Sequence, residues 1–162
     1  VEFNGVVVSA QQDLFEIVAP ATSAVKLIAC MLSQSSEVGD AQEEGLLILF
    51  KSGQTTSGSL GTVATPRALD AGLTQIAGSV VEVNNTTKAS LGTILTHHPE
   101  AWNVRAPFVW LPTEAMQIIL SGGRRATIEL ASTPADAITM SGVLYFVSSF
   151  LKKTRNLSPH LF

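Results

Sequence analysis

"RATIELAS", residues Arg125–Ser132, alternates: Ala126, Ile128 and Leu130 oppose Thr127, Glu129 and Ala131. A period of two is the mark of a half-buried β-strand, because successive side chains leave a pleated strand on opposite faces. Short runs rich in β-branched residues and bounded by turn residues recur on both sides of it. Strands are expected at Glu2–Ser9, Asp13–Val18, Ala24–Gln34, Gly45–Lys51, Ile76–Val83, Gly92–His98, Asn103–Leu111, Ala115–Leu120, Ala126–Ala131 and Ser141–Phe150. "SAQQDLFEIVA", Ser9–Ala19, also fits a helix capped by Ser9, but Phe, Ile and Val ahead of Pro20 favour a strand. "KLIACMLSQS", Lys26–Ser35, is apolar on both faces, with Leu27, Ala29 and Met31 on one and Ile28, Cys30 and Leu32 on the other. A strand of that kind is expected in the middle of a sheet, with both faces covered.

Turn signals separate the runs: "EVGDAQEEG", "SGQTTSGSLG", "VNNTTKAS", "SGGRR" and "TPAD". Gly122-Gly123 suits a hairpin, and Pro66 in "TPRALDAGLTQ" suits the first position of a helical turn. About ten strands in one domain cannot stay an open sheet with a bare side, so the expected fold is an all-β antiparallel sandwich of jelly-roll type, with a barrel as the other closure. The sandwich is expected over residues 1–146, with a C-terminal tail or arm at 147–162.

The chain has 162 residues, enough for a core that needs neither disulfide nor metal. Charged residues make up 14%, against about 25% in typical soluble domains; Ser, Thr, Gly, Asn and Gln replace them. Such a weakly self-repelling surface suits a protein packed against other subunits. Residues 1–150 carry 7 basic and 13 acidic residues, a net −6, and Lys152, Lys153 and Arg155 bring the total to −3. A body of that charge is a poor match for nucleic acid, which selects a basic field. No run reaches the roughly 18 apolar residues of a membrane-spanning helix. "VEFNGVVVSA" has neither a basic start nor a long apolar stretch, so an intracellular origin is expected. Cys30, the one cysteine, sits among apolar neighbours and reads as a small buried hydrophobe.

No motif announces a reaction. Gly53, Gly58 and Gly61 follow Lys51 in "KSGQTTSGSLGTVATPRALD", Lys51–Asp70, whereas a phosphate-binding loop places its lysine after the glycines and opens a helix. Ser57-Gly58-Ser59 lacks the strand–turn–helix setting of a nucleophile elbow. His97 and His98 are adjacent, so a strand points them to opposite faces, and His160 is distant. A cupin-like metal site built on His97 or His98 is therefore the weaker of the chemical alternatives. Glu37, Asp40, Glu43 and Glu44 share one loop, without the order of an EF-hand, and read as a solvated patch for docking a basic partner. No catalytic residue, metal ligand or cofactor is expected. "EAWNVRAPFVWLP", Glu100–Pro112, reads as one strand with Trp102, Phe108 and Trp110 on one face and Arg105 placed for a buried ion pair. That aromatic face suits the core or a subunit interface, where Trp and Arg are enriched, or else a carbohydrate platform. Arg124 and Arg125, after the glycine turn, are expected to be exposed.

In order along the chain, "FEIVAP", "SQSSEVGDAQEEGL", "GQTTSGSLGTVATPRALD", "EVNNTT", "WNVRAPFVWLP" and "LASTPADAITMSGVLYF" resemble a family of phage and prophage head decoration, or cement, proteins. The resemblance spans Val1 to Phe146 and leaves the tail outside it. It implies a non-enzymatic jelly roll on the outside of a capsid, associating with itself, usually as a homotrimer, and bracing the major capsid protein. The expected contacts are the loop holding Gln54, Thr55, Thr56 and Arg67, the acidic loop Glu37–Glu44, and the strand holding Trp102, Arg105 and Trp110. The alternative is a sugar- or receptor-binding jelly roll of a phage tail or fibre, using the tryptophan face.

Overall fold

The computed structural model describes residues 1–36, 44–73 and 77–150. Eleven strands and one 3₁₀ turn make up the described fold: β1 Glu2–Val8, β2 Gln12–Val18, β3 Ser23–Gln34, β4 Gly45–Thr56, β5 Thr62–Val63, β6 Val80–Asn85, β7 Ser90–Asn103, β8 Phe108–Trp110, the turn Glu114–Met116, β9 Ile119–Leu120, β10 Arg125–Leu130 and β11 Ile138–Phe150. One sheet has the order β1-β11-β3-β8, with β9 also on β3; the other has the order β5-β6-β2-β10-β4-β7. All pairings are antiparallel.

The order of pairing is that of a jelly roll. β1 pairs β11, β2 pairs β10, β3 pairs β8 and β4 pairs β7, so the chain folds back on itself and the doubled ribbon rolls into two sheets. β5 and β6 extend the second sheet beyond β2. The core lies between the sheets, with Phe3, Phe15, Phe50, Phe108, Ile128 and Leu144 buried in it. "RATIEL" sits centrally between β2 and β4, its Ala126, Ile128 and Leu130 turned to the core as the alternation requires.

Several boundaries differ from the sequence reading. β4 runs on to Thr56, because Ser52, Gln54 and Thr56 have backbone partners in β7. β7 takes in all of Ser90–Asn103, and β6 starts only at Val80. The expected strand Ala115–Leu120 is a 3₁₀ turn followed by the two residues of β9. Gly122-Gly123 makes no hairpin: it carries the chain from β9 in one sheet to β10 in the other. Asp70 closes a turn, its carboxylate accepting from the Gly72 N–H at 2.8 Å and its carbonyl from the Leu73 N–H, where a helical turn was expected. β11 continues past Phe146, so residues 147–150 belong to the sandwich, and residues 151–162 lie outside the described residues. Cys30 is buried, and burial pushes its thiol far up.

Candidate functional site

The two sheets have unlike outer faces. That of the β5-β6-β2-β10-β4-β7 sheet carries Asp13, Glu16, Thr127 and Glu129, all buried. They are covered by two segments of this chain joined by a β-bridge, with Ser59 and Thr87 exchanging backbone hydrogen bonds at 2.9 and 3.1 Å.

Glu16 holds that cover down. Its carboxylate accepts from Ser57 Oγ at 2.6 Å, from the Gly58 N–H at 2.8 Å and from Asn85 Nδ2 at 2.9 Å, and Arg125 Nε lies 2.6 Å away. Three hydrogen bonds and one ion pair thus tie Glu16 to its own chain. The glycines of "SGSLG" have their reason here. A Cβ on Gly58 would come within 2.7 Å of Asn85 Nδ2 and of Thr87 O, and one on Gly61 within 2.1 Å of Asn85 Oδ1. The glycine-rich stretch lies flat on its own sheet.

Asp13 accepts from the Ala89 N–H at 2.7 Å, and Glu129 is gripped by Lys51 and Lys88. Burial pushes the Asp13 carboxyl up to about 7, helped by the nearby charges of Glu129 and Glu16 and opposed by the Ala89 hydrogen bond and by Lys51. Burial also pushes Glu129 up, but the hydrogen bonds and charges of Lys51 and Lys88 outweigh it and hold the carboxyl below its ordinary value. An open cleft of about 250 Å³ lies beside this layer, lined by Glu16, Val18, Ser57, Val80, Glu82 and Arg125.

The outer face of the β1-β11-β3-β8 sheet is apolar around Met31, with Asn4, Ser33 and Ser141 at one end. In register, Met31 stands between Val143 and Val109, and Lys26 between Val147 and Ile119. A groove of about 1520 Å³ opens at one side of it, lined by Met31, Val143 and Val147 of this face, by Thr62–Leu69 and by residues of the other sheet such as Val83. Lys26 and Glu114 form an ion pair at 3.7 Å beside it.

The residues singled out from sequence do not converge. Glu37, Asp40 and Glu43 lie outside the described residues; Glu44 Oε1 accepts from the Ala135 N–H at 2.7 Å. Gln54 is buried, its amide donating to Thr127 Oγ1 at 2.9 Å, so its side chain is not a free contact; Thr55 and Thr56 are exposed at the end of β4. Arg67 is exposed and pairs with Glu2 at 3.3 Å. Trp102 and Trp110 do not share a strand face: they lie in β7 and β8, in opposite sheets, and are only 3% and 6% exposed. The turn between the strands is made by Asn103, whose Oδ1 accepts from the Arg105 N–H, and Trp102 Nε1 donates to Ala106 O at 2.7 Å. Both rings belong to the core, Trp110 packing 4.5 Å from Phe50, so neither presents a face to a sugar. Arg105 is exposed; the buried ion pair belongs to Arg125 instead. His97 approaches Ser52 Oγ at 2.7 Å and His98 approaches Glu100 at 2.8 Å, so the two imidazoles part company. Among the described residues no group of three or more His, Cys, Asp or Glu side chains is placed to hold a metal ion.

The apolar outer face escaped the sequence reading, although "KLIACMLSQS" carried the signal. A bulge at Ile28 sets Ala29 opposite Tyr145 and Leu27 opposite Phe146. Leu27, Cys30 and Leu32 then face the core together, and Met31 faces out. No protein-family model, curated protein or solved structure matches the chain.

Proposed function

We propose that this chain is a capsid decoration protein: a rigid jelly roll that binds the outside of a phage head, associates with itself, and braces contacts between major capsid protein subunits. The observation that carries the reading is the asymmetry of the sandwich. One outer face is closed by a buried polar layer held under the chain's own Ser57–Ser59 and Thr87–Ala89 segments, and the other offers apolar side chains to a neighbour. The serial resemblance of segments from Val1 to Phe146 to head decoration proteins points the same way. A rigid body with an adhesive face stabilises a shell by summing several weak contacts, since linked contacts gain avidity. In this reading Thr55, Thr56, Arg67 and the acidic residues Glu37, Asp40, Glu43 and Glu44 meet the capsid, and no cofactor or catalytic step is involved.

Co-sedimentation of the purified full chain with phage heads assembled from a major capsid protein of the same genome tests the reading. Saturable binding and a raised melting temperature of the heads are the expected results. A protein that neither sediments with heads nor protects them from heat overturns it.

A further inference from the structure

β3 carries apolar side chains toward both sides of its sheet, and among the described residues only the core side is fully covered. Val25, Leu27, Cys30 and Leu32 are buried in the core. On the other side Val109, Ile119 and Val147 are exposed by 53%, 61% and 53%, and Met31 by 38%. Among the described residues no element closes over them. We propose that a second copy of this chain covers this face, so that the self-association contained in the decoration reading runs through Met31, Val109, Ile119 and Val147.

The size of the opening favours a polypeptide. Small-molecule sites are typically clefts of about 300–1,000 Å³ that enclose most of the ligand; the groove that opens beside Met31 and Val147 is about 1520 Å³. The area also fits. Four strands spaced about 4.8 Å apart, with about eight residues each at about 3.3 Å, present roughly 500 Å². Two such faces make about 1,000 Å², where specific interfaces begin, and exposed Leu111 and Met116 widen the patch.

Charge narrows the occupant to the chain itself. Lys26 and Glu114 supply one charge of each sign, with side chains 36% and 89% exposed. At the rim of the groove Arg67 and Glu2 do the same. A face with balanced charges has no field to select a strongly acidic or basic partner, but it complements itself: Lys26 of one copy can meet Glu114 of the next. It also lets copies approach although each carries a net −3.

Sedimentation velocity and native mass spectrometry of the full chain test the inference. The wild type is expected to be oligomeric at micromolar concentration. Met31→Glu and Val109→Lys, both at outward positions, are expected to weaken assembly at least tenfold while keeping the wild-type circular dichroism. Lys26→Glu should weaken it as well, and Lys26→Glu with Glu114→Lys should restore it. A monomeric wild type, or an oligomer indifferent to these changes, overturns the inference. Should a charged variant misfold, Val109→Cys serves instead: protection of its thiol from alkylation on assembly supports the face, and undiminished alkylation in a cysteine variant that still assembles rejects it. Head binding is scored separately. An oligomer that breaks at this face without ever binding heads rejects the decoration reading alone; heads bound by a protein whose assembly ignores the face reject this inference alone.

Discussion

Glu16 Oε2 accepts a hydrogen bond from the Gly58 N–H at 2.8 Å, across 42 residues of sequence. This contact fastens the glycine-rich cover to the sheet, and the same carboxylate sits against Arg125. Glu16→Ala is expected to destabilise the fold by about 3–5 kcal/mol, since it leaves a largely buried guanidinium without its partner. Glu16→Gln, which keeps the shape and part of the hydrogen bonding, should cost about 1–3 kcal/mol. Urea unfolding monitored by circular dichroism measures both, and the ranking Ala worse than Gln is the point at issue.

Gly58→Ala probes the same contact from the other side. A methyl group there meets Asn85 Nδ2, Thr87 O and Glu16 Oε2, all within 2.9 Å. The cover has to lift, so amide hydrogen exchange at Ser57–Ser59 and Thr87–Ala89 is expected to quicken while the core strands keep their protection.

Stability should fall as pH rises from about 4 to 7. The Asp13 carboxyl goes from an ordinary 3.8 to about 7 in the fold, chiefly through burial. Across that window the folded chain keeps a proton that the unfolded chain has released, so raising the pH favours unfolding until both forms have lost it. Glu129 works the other way: held below its ordinary value, it adds stability that is lost only as pH falls through its depressed titration. Asp13→Asn is expected to flatten the loss between pH 4 and 7 and to exceed the wild type at pH 8 by about 2–4 kcal/mol. Melting temperature against pH for the two proteins, taken as a difference, isolates the contribution of Asp13.

Gly142 lies between Phe3 of β1 and Leu32 of β3 in register. A Cβ on it would come within 2.7 Å of Phe3 Cε1 and 2.9 Å of Leu32 Cδ2. Gly142→Ala should therefore cost about 1–3 kcal/mol through overpacking, and Phe3→Leu in the same chain should recover part of it. Denaturation midpoints of the single and double variants decide this.

Both tryptophans should resist collisional quenching. With Trp102 and Trp110 in the core, acrylamide is expected to quench their emission weakly in the native state and strongly after unfolding, and added mono- and oligosaccharides should leave the spectrum unchanged. A sugar-dependent shift would show an accessible ring and contradict the packing.

The sheets were legible because local pattern decides them. The alternation of Ala126, Ile128 and Leu130 against Thr127 and Glu129 survives intact in β10. What stayed hidden depends on partners far along the chain. Arg125 looks like any exposed residue after a glycine turn until Glu16 of β2 is set beside it. Polar Ser52–Thr56 looks like a loop until β7 supplies its ladder. The even spacing of Trp102, Phe108 and Trp110 mimics one strand because the intervening turn uses Asn103 and no glycine. Among the expected site residues Thr55, Thr56 and Arg67 are exposed while Gln54 and both tryptophans are buried, and the apolar face could be found only once the bulge at Ile28 had assigned each side of β3.

The doubled-ribbon pairing also governs how the molecule is made. β1 finds its partner only in β11, and β2 only between β6 and β10, so the first strands leave the ribosome long before anything exists to close their ladders. Contacts of such sequence separation form slowly, because the loop-closure cost precedes the gain. The chain therefore folds after synthesis of β11 rather than during it. Until then "KLIACMLSQS" is apolar on both sides and uncovered on both, and is the segment a chaperone has most reason to hold.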